Sequence, residues 1–277
     1  TQRDVGLAGA IGILIGGGVI TDLVDGIEIG AYQQTQSRSW WGGSTRTREQ
    51  VESLDDGVAR QFELIIGNIV ETVRQGALAL GISAGDIEAA LESFRIEEIR
   101  ISTMDLSAEE QQAELEAVFS AIFDGLAGHV VPFIAQFQQV GEGLGVTLVR
   151  VATSVQVAQE AVRQLGFAMD AVDPETVAQI SVELIELAGG IENFIAGLQT
   201  FVDKFAPESH KLEVAQDQLT RALDGVGLSL PGTREEMWEL MQSLDATTES
   251  GRAQIAILLE LAAVSDTYYT MLERGEE

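Results

Sequence analysis

From Leu54 onward, apolar residues recur at helical spacing. Leu54, Val58, Phe62, Ile65, Ile69, Val73 and Leu80 form one stripe that ends at Gly81. A short helix is predicted around residues 86–91. Ser107 and Glu110 make a capping box, opening a helix that turns Leu115, Val118, Phe119, Ile122, Phe123 and Leu126 inward. Residues 129–139 (HVVPFIAQFQQ) predict another short helix, with Pro132 tolerable in its first turn. Gly141, Gly143 and Gly145 then break the chain, around the start of a long stripe through Leu144, Leu148, Val151, Val155, Val162 and Leu165.

Asp173-Pro174 starts a helix expected to run through Ile180, Leu184, Leu187, Ile191, Phe194, Leu198 and Phe201 as far as Pro207. Further helices are predicted at residues 209–223 and 248–272. Between them, Thr233 and Glu236 form a second capping box before Met237, Trp238, Leu240 and Met241. Most of these helices carry one greasy stripe on an otherwise polar cylinder. That is the pattern of a bundle or assembly, not of a membrane domain. No repeat of fixed period is present.

Two stretches switch to a period of two. GIEIGAYQQ (26–34) alternates apolar and polar residues, and SRSWWGGSTRTR (37–48) follows with a Gly-Gly turn, so a β-hairpin or small sheet is predicted within residues 24–48. FRIEEIRIST (94–103) alternates at Ile99 and Ile101 and is expected to pair with residues 26–33. The fold class is therefore mainly α: a multi-helix bundle or extended helical assembly with a small β-hairpin or sheet near residues 24–48 and 94–103. Four regions follow: a Gly-rich apolar segment (1–23), a hairpin segment (24–52), a helical body with a short strand (53–170) and a C-terminal helical region (171–277).

Residues 5–21 (VGLAGAIGILIGGGVIT) carry no charge. As a helix they would be about 25 Å long, slightly short of a bilayer's roughly 30 Å core. Glycines at 6, 9, 12, 16, 17 and 18 would weaken that helix by about 1 kcal/mol each relative to Ala. Ala8, Gly12 and Gly16 form a row of small residues suited to close helix packing. Val5, Leu7, Gly12, Ile13, Leu14, Ile15, Gly16, Val19 and Ile20 are thus candidates for a membrane segment or an oligomer interface. A buried Gly-rich connector at a subunit interface is favoured over a membrane segment by the marginal length. Arg38, Trp40 and Trp41 are candidate anchors at a membrane surface or on a partner protein, although a Trp pair also suits a local core.

Charge divides the chain. Residues 1–48 balance Arg3, Arg38, Arg46 and Arg48 against Asp4, Asp22, Asp25 and Glu28, so the net −28 belongs to the rest. Such a body is not built to bind nucleic acid, which needs Lys and Arg against phosphate, nor anionic lipid. At 277 residues it is long enough for one large domain or two. Without Cys there are no disulfides or thiolate metal sites, and the redox compartment stays open. A chain that begins with Thr, with no signal-peptide charge ahead of the apolar run, is expected to be a processed or excised piece of a longer one.

Catalytic patterns are lacking. The acidic doublets Asp55-Asp56, Glu97-Glu98, Glu109-Glu110 and Glu235-Glu236 hold neighbours that do not face one another on a helix, so solvated faces are expected. His129 and His210 sit in no metal or base-relay spacing. The 141–145 glycines lack the Lys-Ser/Thr of a phosphate loop and follow a helix rather than a strand. No catalytic, cofactor-binding or metal residues are assigned, and an enzyme is not expected.

Several stretches resemble the C-terminal part of the tail tape-measure proteins of long-tailed (siphovirus-like) bacteriophages. They are the apolar run with RSWWGGSTRTR (38–48), DGVARQFELIIGNIVETVRQGALALG (56–81) and FRIEEIRISTMDLSAEEQQAELEAVFSAIFD (94–124). FQQVGEGLGVTLVRVAT (137–153), GLSLPGTREEMWELMQSLDATTESGRA (227–253) and AAVSDTYY (262–269) complete the set. The last two are the most specific. The resemblance implies a virion protein of the tail lumen and tail tip, working with hub and distal tail proteins. Such a protein sets tail length, nucleates assembly and is ejected to help DNA cross the host periplasm and inner membrane. It implies self-association, three copies first and six second, and no catalytic residues. A secreted or surface pore-forming helical protein is the alternative.

Overall fold

The computed structural model describes residues 8–15, 18–19, 29–37, 46–53, 56–96, 99–102, 106–167 and 172–275. It is mainly α with a small β-sheet. The chain divides into two compact units, one of Thr1–Ala158 with Ala171–Glu186 and one of Gln159–Asp170 with Leu187–Glu277.

The first unit begins with strands. β1 (Ala8–Ile15), β3 (Ile29–Ser37), β4 (Arg46–Ser53) and β6 (Ile99–Ser102) form an antiparallel sheet in the order β4-β3-β1-β6. A two-stranded pair joins β2 (Gly18–Val19) to β5 (Arg95–Ile96). The predicted hairpin is present, with β3 and β4 in register from Gly30↔Ser53 to Ser37↔Arg46.

Two expectations about these strands are corrected. The apolar run was weighed as a helix, yet residues 8–15 are a central strand, paired on one side with β3 and on the other with β6. Isoleucines at 11, 13 and 15 favour extended backbone, where glycines cost less than in a helix. Partners on both sides satisfy the backbone groups of an uncharged run. The small-residue spacing from Ala8 to Gly12, a helical argument, therefore loses its basis. Second, residues 99–102 pair with β1 and residues 95–96 with β2, rather than with the expected partner at 26–33. β1 and β4 already occupy both edges of β3, and a strand has only two.

Helices complete this unit: α1 (Asp56–Ala79), α2 (Ala84–Ser93), α3 (Ala108–Val130), a 3₁₀ turn (Pro132–Phe137), α4 (Leu144–Gln164) and α5 (Pro174–Leu187). The capping box at Ser107 is formed, and Ser83 caps α2 by accepting the Asp86 N–H. On α1 the buried line is Phe62, Ile66, Val70, Val73, Ala77 and Leu80, whereas Ile65 is 40% exposed. The predicted stripe is one residue early at Ile65 and Ile69, where Ile66 and Val70 are buried instead, and correct at Phe62, Val73 and Leu80. Leu54 and the side chain of Val58 lie outside the described residues. On α3 burial concentrates at Ile122, Leu126, Ala127 and Val130, so its first half, with Leu115, is only partly covered. Ile66, Leu91, Leu126, Ile134 and Leu148 are fully buried, each contributing about 1.5–3 kcal/mol relative to exposure. Phe62 meets Phe119 with ring centroids 5.3 Å apart, and Arg74 ties α1 to α2 through Glu88 at 2.9 Å.

The helix expected to run unbroken from Pro174 to Pro207 is two. Gly189 (φ 82°) and Gly190 (φ 111°) take backbone angles that a helix cannot contain, ending α5 and starting α6 (Ile191–Phe205). Ile180 and Leu184, expected inward, are over a third exposed, while Val177, Ala178, Ser181 and Ile185 are buried.

The second unit holds α6, α7 (Glu208–Asp224), α8 (Arg234–Ser243), α9 (Glu249–Glu260) and α10 (Ala262–Gly275). Its core joins Ala215, Leu219 and Leu223 to Leu258, Leu261, Tyr268 and Tyr269. The helix expected across residues 248–272 bends by 59° at Leu261. No Gly or Pro marks that bend. It lets Leu258 and Tyr268–Tyr269 bury in one core.

Candidate functional site

The most elaborate open surface lies where α8, α9 and α10 meet. Its frame starts at the turn before α8. The Glu236 carboxylate accepts the N–H groups of Gly232 (2.8 Å) and Thr233 (3.2 Å), and the Thr233 hydroxyl accepts the Glu236 N–H (3.1 Å). This closes the predicted capping box and fixes the direction of α8. Arg234, one residue on, is held by α10. It donates to the Asp266 carboxylate (2.6 Å) and carbonyl (3.1 Å), to Thr270 Oγ1 (2.6 Å) and to Glu273 (3.0 Å). The guanidinium carbon lies 5.9 Å from the Tyr269 ring centroid. Donation to Asp266 first, and then to Glu273, raises the Arg234 pKa further.

Tyr269 fastens the other side, donating to the Pro231 carbonyl at 2.8 Å. Its phenol is pushed up to about 12, chiefly by burial and then by the neighbouring Tyr268 and Glu236. The turn into α9 is equally built. Asp245 accepts from Thr247, Thr248 accepts the Gly251 N–H, and any Cβ on Gly251 would collide with the Asp245 carbonyl. The residues that carried the strongest resemblance are therefore caps, turns and close approaches of one corner.

That corner leaves a groove of about 260 Å³ between Met237, Trp238 and Met241 on α8 and Leu258, Leu259 and Ala262 below. Trp238 (64% exposed) and Leu259 (65%) stand open to solvent. Such a groove offers a flexible apolar seat and no chemistry of its own. Sequence inspection assigned no site here. The signals were a Trp and two Met on one short capped helix.

The glycine loop at 141–145 has a different task. Gly145 donates its N–H to Asp124 Oδ1 at 2.8 Å, so a carboxylate occupies the start of α4 where a phosphate loop would hold an anion. A Cβ on Gly145 would strike the Phe123 ring. Glu142 accepts from Arg150 (2.9 and 3.0 Å) and Thr147 (3.1 Å), and Arg150 donates to the Phe137 carbonyl at 2.6 Å. Arg150 foremost holds the Glu142 carboxyl below the usual range. The glycines allow a tight joint.

The two histidines are apart in function as in sequence. His129 shares a hydrogen bond with Ser93 Oγ (2.9 Å) and His210 with the Gln164 carbonyl (2.7 Å). Among the described residues, no three His, Asp or Glu side chains are placed to hold a metal ion. Of the sequence-predicted site residues, Gly12, Ile13, Leu14 and Ile15 lie in β1 and Val19 in β2. Val5, Leu7, Gly16, Ile20, Arg38, Trp40 and Trp41 fall outside the described residues. Among the described residues no single helix is long and apolar enough to cross a membrane.

No family model, curated protein or solved structure matches the chain.

Proposed function

We propose that the chain is the C-terminal region of a tail tape-measure protein of a long-tailed bacteriophage, a structural component rather than an enzyme. The resemblance of residues 227–253 and 262–269 carries this proposal. Their side chains interlock through Arg234–Asp266 and Tyr269–Pro231, so the two stretches form one unit of structure rather than two separate matches. Exposed aromatics in the second unit suit a protein that works in an assembly: Phe201 is 54%, Phe205 71% and Phe167 67% exposed.

On this proposal the protein sits at the tail tip and in the tail-tube lumen, with hub and distal tail proteins as partners. It assembles in three copies or, second, six. It helps to set tail length and nucleate assembly, and leaves with the DNA toward the host periplasm and inner membrane. A body of this acidity would let DNA pass without binding it, since like charges repel over a Debye length of about 8–10 Å. Cryo-electron microscopy of the intact particle tests the proposal. The expected result is axial density at the tail tip that fits α1–α10. Particles lacking the chain, together with vesicle lysis by the purified protein, would establish a pore-former instead.

A further inference from the structure

We infer that the α8–α10 groove seats a basic amphipathic helix of a partner protein, with one large apolar side chain of that helix entering between Met237, Met241 and Leu258. The inference holds whether or not the protein belongs to a phage tail. At about 260 Å³ the groove falls below the roughly 300–1,000 Å³ of cavities that engulf a small ligand. It has room for a side chain or two presented by something larger. Its two methionines are unbranched and polarisable, so they mould to an apolar anchor. Trp238 and Leu259 of the lining are mostly exposed, and covering them removes large apolar surface from water. The seat is also preformed, because Arg234–Asp266 and Tyr269–Pro231 already hold α8 and its turn against α10.

Charge selects the partner. Glu235 follows Arg234, Glu239 follows Trp238 and Glu260 follows Leu259, so each lining stretch carries a carboxylate beside it. All three are exposed, and none has a hydrogen bond or ion pair among the described residues. Arg234, the basic residue of the lining, is already engaged by Asp266 and Glu273. The frame therefore holds free negative charge around an apolar seat. It repels a second copy of a chain with net charge −28, and it repels anionic lipid. It attracts a helix whose Lys and Arg flank an apolar stripe, which lays the stripe in the groove and its charges on the frame.

Fluorescence anisotropy of a labelled synthetic helix, with Leu on one face and Lys on the other, tests this on the full chain. Wild-type protein should bind it, and should bind a helix with Glu in place of each Lys about tenfold or more weakly. Trp238→Ala and Leu259→Ser change exposed positions and leave the core intact, which circular dichroism checks. Each should raise Kd about tenfold or more. Glu235→Gln/Glu239→Gln/Glu260→Gln should raise Kd and flatten its dependence on NaCl. Glu109→Gln/Glu114→Gln/Glu213→Gln makes the same charge change at exposed positions of α3 and α7, and should stay within about twofold of wild type. The inference is overturned if wild-type protein does not bind the Lys helix, or if both groove variants bind it like wild type. A control triple that weakens binding as much as the frame triple also overturns it, since the attraction is then one of bulk charge. So do wild-type dimers in sedimentation velocity that Trp238→Ala dissociates, because the seat then belongs to a second copy.

Discussion

The two units use apolar residues differently. In the first, α1 to α5 close a core in which Ile66, Val73, Leu126, Ile134 and Leu148 have no exposed surface. In the second, α6 buries none of its residues, and Phe201 and Phe205 stack at 5.1 Å while largely open to solvent. The first unit joins that core to open apolar side chains, Leu64 at 67% and Val146 at 53% exposure among them. The second joins a smaller buried core on α7, α9 and α10 to an α6 whose apolar side chains stay open, and hydrogen bonds and charge pairs fasten α8 to α10.

The sharpest test of that contrast is truncation on each side. Ile66→Ala should destabilise the first unit by about 2–5 kcal/mol. Phe205→Ala or Leu187→Ala should stay within about 0.5 kcal/mol, as measured by urea unfolding of the unassembled protein. Comparable losses would erase the distinction. Next comes the joint at α4. Gly145→Ala should cost about 1–3 kcal/mol from overpacking against Phe123.

A smaller effect is expected at the second unit's fastening. Tyr269→Phe removes the bond to the Pro231 carbonyl and should cost about 0.5–1.5 kcal/mol. This phenol also gives a pH signature. Its folded pKa, about 12, lies above the ordinary value of 10.0. Between those values the unfolded chain has lost the proton that the folded chain still holds, so stability falls as pH rises through this window. Ultraviolet titration should show one late-ionising tyrosine, and Tyr269→Phe should remove it. At the acid end, Glu142 is held low by Arg150, so its contribution is present above pH 4.5 and lost as pH falls through the folded value. Arg150→Gln should flatten that limb. A loss of about 1 kcal/mol belongs to Thr233→Ala, which opens the α8 cap.

Local grammar made much of the fold legible. Both capping boxes, the hairpin, the Gly81 stop and the α7 boundaries depend on neighbours in sequence, and each stands where expected. Where small residues decide the outcome, large-residue periodicity misled. Gly189-Gly190 cut a helix that looked continuous. The groove was opaque for another reason. Nothing in the spacing of Met237, Trp238 and Met241 marks a groove, which forms only where α8 meets α9 and α10.

The sequence alone determined the mainly helical class, the helix starts, the acidic body and its separation from the neutral, tryptophan-bearing front. Those follow from side-chain types and spacings of a few residues, where backbone propensity and capping act. Only the tertiary structure decided that residues 8–15 are a central strand, that residues 99–102 border it, and that Arg234 and Tyr269 lock α8 to α10. Such choices are made between segments far apart in the chain, by competition for strand edges, volume and hydrogen-bond partners that no local pattern records.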